Sequence, residues 1–436
     1  DGFIDNQGNF GADGIVGPHH EKEGSFYTIK QLWSPVQIMN TSVDKQFDGK
    51  FSVENRYDYL NLNTCRFLWK QVKFPTATDA SNTTAQVLKQ GEVQGSDVAA
   101  HLAGVLDIKT TILPDADALF LTAIDRYGHE LWRWTFPVNK LNQANEVLSP
   151  LSNKVTSTET ENELTVKAKN HTFIFSKKDG QLKGVSVNNR KISFANGPRF
   201  IGARRADRSL DQFYNHDDEK AKEKDRTYSE FPDAAVFTKL DVKEDGGNLI
   251  VTANYKLGNL DKVQWTINPN GEAVLDYTYN FSGVVDLMGI CFDYPEDQVI
   301  SKRWLGAGPY RVWQNRIHGT QYDVWENDYN DPIPGETFTY PEFKGYFGSV
   351  SWMNIRTKEG TISLTNETPD AYIGVYQPRD GRDRLLYTLP ESGISVLNVI
   401  PPVRNKVNST DLCGPSSQPK WVNGPQSGRI IFRFME

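Results

Sequence analysis

Trp304-Leu305-Gly306-Ala307-Gly308-Pro309-Tyr310-Arg311-Val312-Trp313-Gln314-Asn315-Arg316 is the stretch on which the reading of this chain turns. It holds two glycines, a proline, two arginines and three large aromatic side chains. A strand reaching Leu305 is expected to stop at Gly306, Gly308 and Pro309, because glycine weakens a strand and proline cannot donate to its ladder. Flat rings and planar cations come directly after the stop. Arginine is rarely buried without a partner, so the composition suits a binding rim. It suits equally well a strand end with an aromatic corner and paired arginines.

Around this stretch, short strands separated by turns recur from residue 155 to residue 436 without a long helix. Residues 164–168, 249–255, 263–267, 273–281, 360–364 and 428–434 read as strands, and Lys178-Asp179-Gly180 and Asn268-Pro269-Asn270-Gly271 read as turns. This is one large β domain. Residues 36–150 alternate apolar and polar side chains. Phe51, Val53, Asn55, Tyr57 and Tyr59 share one side of a first run, Cys65, Phe67, Trp69 and Gln71 of a second, and Trp132, Trp134 and Phe136 of a third. The spacing and a size of roughly 100 residues fit an immunoglobulin-like sandwich. Residues 142–158 are weakly patterned and mark a boundary. Residues 1–34 differ from both parts. Residues 21–33 read as a helix, with Glu21 and Glu23 in its first turn, Phe26, Ile29 and Trp33 on one face, and Pro35 ending it. One loop and one helix have no core of their own. They complete a neighbouring structure or dock on the β domains of this chain.

The chain has 436 residues, which exceeds the roughly 250–300 at which single cores stop growing. Aromatics make up 12%, with 34 Gly and 22 Pro against 4 Met, a profile of strands and turns. A net charge of −7 argues against nucleic acid as a partner. Cys65, Cys291 and Cys413 are odd in number and scattered, which argues against a disulfide framework or a cysteine zinc site. No apolar run approaches the ~20 residues of a membrane-spanning helix, so no membrane partner is expected. The sequence starts at Asp1 without Met and reads as a piece of a longer protein, for which bacterial periplasm and cytoplasm both stay open.

Trp304-Leu305-Gly306-Ala307-Gly308-Pro309 followed by Asn315-Arg316 resembles the W-L-G-x-G-P…[DN]-R signature of the large beta-galactosidases of glycoside hydrolase family 2. The likeness is co-linear along the chain. Asn9-Phe10-Gly11-Ala12-Asp13-Gly14-Ile15-Val16, with a subsequent helix that contains Ile29-Lys30, resembles the last strand, loop and helix of the family's catalytic (β/α)8 barrel. Residues 51–74 resemble its immunoglobulin-like domain. From about residue 155 the chain is similar to the family's galactose-mutarotase-like supersandwich, the small-chain type. The resemblance thus implies a mainly β chain in three parts, with a barrel end at 1–34, an immunoglobulin-like sandwich at 36–150 and the supersandwich at 155–436.

It also implies a function. Retaining glycosidases use two carboxylates roughly 5–5.5 Å apart. The family carries both glutamates upstream of the region covered here, and Glu21, Glu23, Glu54 and Glu130 have ordinary helix or strand readings. No catalytic residue is expected in this chain, which alone should be inactive. In the family, the carbonyl matching Phe10 and the side chain matching Asp13 ligate a sodium ion beside the sugar, and the latter also reaches a sugar hydroxyl. The best-known members carry Asn where this chain has Asp13, and an Asx turn at Asp13-Gly14 is the alternative. A magnesium ion is implied for the full-length enzyme only. Trp304, Arg311, Trp313 and Arg316 are expected to touch substrate, because rings pack on sugar C–H faces and planar donors suit hydroxyl rims. Trp421 stands where the family's last domain places a Trp against the leaving-group sugar. Residues 408–422 match the family poorly there, which implies a different aglycone subsite. The implied partners are a β-galactoside-like carbohydrate, the N-terminal catalytic half and a second copy of the chain. Two other readings remain. One is a stand-alone carbohydrate-binding or structural module. The other is an aldose epimerase using His318, for which the sequence offers no clear carboxylate partner.

Overall fold

A computed structural model describes residues 15–16, 20, 22, 24–79, 84–138, 154–205, 228–231, 234–328, 345–375, 390, 392–402 and 414–436. The fold is mainly β, with antiparallel sheets throughout, as expected. The chain forms two compact units that are not continuous in sequence. The first is Asp1–Asn142 with Leu305–Tyr310 and Ile317–Trp325, and the second is Gln143–Trp304, Arg311–Arg316 and Glu326–Glu436.

In the first unit a helix, α1 (Gly24–Leu32), precedes seven strands. These are β1 (Val36–Ile38), β2 (Lys50–Asn55), β3 (Arg66–Lys73), β4 (Gln86–Gln94), β5 (Ala103–Asp107), β6 (Ala118–Ile124) and β7 (Glu130–Pro137). They form two sheets, β1-β2-β5 and β4-β3-β6-β7. Val36, Phe51, Val53 and Leu106 of one sheet share a core with Phe67, Trp69, Leu121 and Phe136 of the other, so the sheets make a sandwich. Alternation builds it, since every second side chain of a strand faces the same side. Two of the inward positions are polar and fully used. Asn55 Nδ2 donates to the Leu60 and Val98 carbonyls, each at 2.9 Å. Gln71 Nε2 donates to the Thr111 carbonyl at 2.8 Å, and its Oε1 accepts from Leu113 N at 2.7 Å. Both tie loops to the core at no cost in unsatisfied groups.

Two expectations change at element ends. β2 stops at Asn55, so Tyr57 is only half-buried and Tyr59 is 95% exposed. Trp33 lies past the last helical residue and is 79% exposed instead of lining a face with Phe26 and Ile29. Glu21 and Glu23 lie outside the described residues.

The second unit has two large sheets. One runs in the order Tyr372–Val375, Ile394–Val399, Leu287–Asp293, Ala195–Arg205, Leu182–Val187, His171–Ser176, Glu163–Ala168, Thr156–Glu159. The other runs Val236–Asp245, Asn248–Lys256, Leu260–Ile267, Ala273–Val285, Lys420–Met435, Gly360–Asn366, Trp352–Thr357, Val299–Gly308. Rings from both sheets interlock between them. Phe292 of the first sheet lies 6.1 Å from Trp265 and 5.6 Å from Phe432 of the second, and Phe175 lies 6.2 Å from Trp265. Ring pairs at such separations add to the burial of apolar area.

Candidate functional site

The strand Val299–Gly308 does not stop at Gly306, as the sequence suggested, but runs through Gly308. The glycines serve a close approach. A Cβ on Gly308 would stand 2.3 Å from the Trp325 ring. The Trp325 indole N–H reaches the Gly306 carbonyl at 3.2 Å and the Gln321 carbonyl at 3.0 Å.

Within the first unit, the segments 305–310 and 317–325 are fixed against α1 and the sandwich. The Tyr310 and Tyr27 rings are 4.7 Å apart. Thr28 Oγ1 donates to the His318 carbonyl at 2.8 Å, and Gly319 N donates to Gln31 Oε1 at 2.6 Å. Gly319 has φ +88°, and a Cβ there would lie 2.5 Å from Thr28 N. Arg133 pairs with Asp323 at 2.9 Å and lies over the Phe120 ring at 4.7 Å. Burial pushes the Asp323 carboxyl up, and the Arg133 charge pulls the other way. His318, the residue behind the epimerase reading, has an exposed side chain and uses its carbonyl to hold α1.

In the second unit, Trp304 is 0% exposed and meets Phe347 edge-on at 4.9 Å. Arg311 is buried, with its guanidinium 5.1 Å from the same ring. Trp313 is buried under Arg316, which stacks on it at 5.5 Å, and a Cβ on Gly345 would touch its other atoms at 2.8 Å. The rim expected at Trp304, Arg311 and Trp313 is therefore interior packing. Trp304 and Arg311 pack on Phe347 and Trp313 on Arg316 instead of facing solvent.

The same segment does hold something else in place. Trp313 and Arg316 exchange backbone hydrogen bonds at 3.2 and 2.9 Å, closing a tight turn. At its tip, Gln314 Nε2 donates to the Ser416 carbonyl at 2.9 Å and the Gln418 carbonyl at 2.6 Å, and Asn315 Nδ2 donates to Ser417 Oγ at 2.9 Å. The turn thus clamps Pro415–Ser417, which leads into Lys420–Met435. Trp421, on that strand opposite Val284, is 71% exposed. Sequence reasoning named Trp313, Arg316 and Trp421 but not the clamp. Gln314 and Asn315 carry no signal of their hundred-residue reach.

Phe10 and Asp13, the expected sodium ligands, lie outside the described residues. Among the described residues, no group of three or more His, Cys, Asp or Glu side chains is placed to hold a metal ion.

The family described as "Beta galactosidase small chain" matches residues 167–399, more than half of the chain. This chain belongs to that family. The match takes in the whole of residues 304–316 and ends before Trp421. Membership in the beta-galactosidase small-chain family gives the chain a glycoside hydrolase context. No curated protein matches it. Among solved structures, it is similar to a galactose 1-epimerase from Lactobacillus acidophilus NCFM, at 9% identity over 65% of this chain and 98% of that one, with a TM-score of 0.33. It is also similar to a putative mutarotase (YeaD) from Salmonella typhimurium, at 9% identity over 67% and 97%, with a TM-score of 0.31. A copper-containing benzylamine oxidase from Hansenula polymorpha aligns with 94% of this chain and 79% of its own at 8% identity and a TM-score of 0.27. Likeness at this level says nothing about chemistry.

Proposed function

We propose that the chain is the C-terminal part of a retaining family 2 glycoside hydrolase acting on β-galactosides. Residues 1–34 would end its catalytic barrel, residues 36–150 form its immunoglobulin-like domain, and residues 155–436 form its small-chain supersandwich. The observation that carries this reading is the family match over 167–399, which contains the signature at 304–316. The two glutamates that exchange the proton and attack the anomeric carbon come from the upstream half. This chain binds and positions. Asp13 accepts a hydrogen bond from a sugar hydroxyl. A carbonyl at Phe10 and a carboxylate at Asp13 are hard oxygen donors, which suits sodium, an ion that would supply local positive charge beside the sugar. No described residue set suits magnesium. Trp421 offers an exposed indole to the leaving-group sugar, on a strand whose approach is fixed by Gln314 and Asn315. The other partners on this reading are the catalytic half and a second copy of the chain.

Asp13→Ala in the enzyme reconstituted with its upstream half should lower kcat/KM for a β-galactoside about 10–100-fold, the worth of a charged hydrogen bond. It should also abolish sodium dependence. Unchanged kcat/KM together with unchanged sodium dependence would remove Asp13 from the site.

A further inference from the structure

The outer face of the sheet that contains Leu260–Ile267, Ala273–Val285 and Lys420–Met435 carries a cavity to which the proposed hydrolase role assigns no task. Antiparallel register sets Lys262, Thr278 and Ser427 side by side in one row, and Gln264, Asp276 and Arg429 in the next but one. Val263, Trp265, Leu275 and Tyr277, which alternate with them, point into the core. The six polar side chains therefore share the solvent face. Glu367 and Pro369 stand beside them, and the open groove that results has a volume of about 360 Å³. Small-molecule sites run from roughly 300 to 1,000 Å³.

The floor of the cavity is ordered by its own charges. Arg429 Nη1 donates to both Asp276 oxygens, at 2.9 and 3.0 Å, and Arg429 Nε faces Glu367 at 3.1 Å. The backbone N–H of Arg429 donates to Thr368 Oγ1 at 3.0 Å. Lys262 and Arg429 balance Asp276 and Glu367, so the lining has no net charge and favours neither an anion nor a cation. What is left to a ligand is an amide, the Ser427 hydroxyl, the lone pairs of Thr278 Oγ1, which donates to Asp261 at 3.3 Å, an ammonium and the spare lone pairs of two carboxylates. Neighbouring side chains of a row stand at the strand spacing of about 4.8 Å. Pro369 adds an apolar edge. Such a lining fits a neutral molecule with hydroxyl groups set around a compact ring.

We propose that this cavity binds a saccharide of one or two rings, at a site separate from Trp421, which lies about 20 Å from Ser427 along the same strand. The site is independent of hydrolysis. A chain that fails to support hydrolysis can still show it, and one that supports hydrolysis can lack it.

Isothermal titration of the chain with lactose and with methyl β-galactoside tests this. Saturable binding in the millimolar range is expected. Gln264→Ala and Asp276→Asn should each weaken it about tenfold, the loss of one good polar contact. Both side chains face solvent, so thermal melts should confirm that each variant stays folded. Gln264→Ala, which touches no ion pair of the floor, keeps the test valid if Asp276→Asn perturbs Arg429. No saturable binding, or binding that both variants leave intact, would overturn the proposal. Displacement of the sugar by inorganic phosphate would overturn it as well, because Lys262 and Arg429 would then be serving an anion.

Discussion

Glu272 and Arg433 form a nearly buried ion pair in the second unit, with side chains 13% and 9% exposed. Each has further partners. Glu272 Oε2 accepts from Asn268 Nδ2 at 2.6 Å, and Arg433 Nη1 donates to Thr365 Oγ1 at 3.3 Å. Breaking such a pair strands a buried charge, so Glu272→Ala should cost about 3–5 kcal/mol in urea unfolding. Glu159→Ala, which breaks the exposed pair with Lys177, should cost less than about 1 kcal/mol. Equal losses at the two sites would contradict this contrast. His171 makes a second prediction. Its Nε2 donates to the Phe434 carbonyl at 2.8 Å, while Nδ1 is buried without a hydrogen-bond partner. Burial holds the His171 pKa below the usual histidine value, helped by the Lys169 charge and opposed by the Phe434 carbonyl. The unfolded chain therefore takes up the proton first. This contribution is complete above the unfolded pKa of about 6.5 and is lost as pH falls toward the lower folded value. Stability should fall between pH 7 and 5 by up to about 1.4 kcal/mol per pH unit, and His171→Gln should flatten that slope. An identical slope in the variant would assign the acid sensitivity to other groups.

Elements were legible where one face is wet. The alternation at Phe51, Val53 and Asn55, and at Phe67, Trp69 and Gln71, is the inward row of β2 and β3. Leu287–Asp293 has no such pattern, because six of its seven residues are buried, and period two vanishes when both faces are covered. The glycines at 306 and 308 looked like strand breakers because what they accommodate, Trp325, lies well downstream. Trp304, Arg311 and Trp313 looked like a rim because composition does not report burial. Only their burial, with Phe347 supplied from elsewhere against Trp304 and Arg311, shows them to be interior. The sequence left open whether the helix completes a neighbouring structure or docks on this chain. None of its residues is fully buried, yet Tyr27 meets Tyr310, Thr28 the His318 carbonyl and Gln31 the Gly319 N–H, all within the first unit. Gly319→Ala would put a methyl against the helix backbone at a positive φ, and should release α1 at a cost of about 1–3 kcal/mol. Hydrogen exchange across Gly24–Leu32 should then rise to that of a free peptide. Unchanged protection would mean that the helix is held by something other than this contact.

At the scale of the whole molecule, the family was legible in thirteen consecutive residues, and the match over 167–399 supports that reading. The function is harder to read, because the proposed chemistry belongs to residues that this chain does not contain. On the proposed reading its own contribution is placement, through the segment held by Gln314 and Asn315, the exposed Trp421, and Asp13. The most direct test of that division of labour is hydrolysis of a chromogenic β-galactoside by this chain, alone and after mixing with the upstream half. The account predicts no turnover alone and turnover on mixing. Turnover by the chain alone would contradict it, since a catalytic carboxylate pair would then have to lie within these 436 residues.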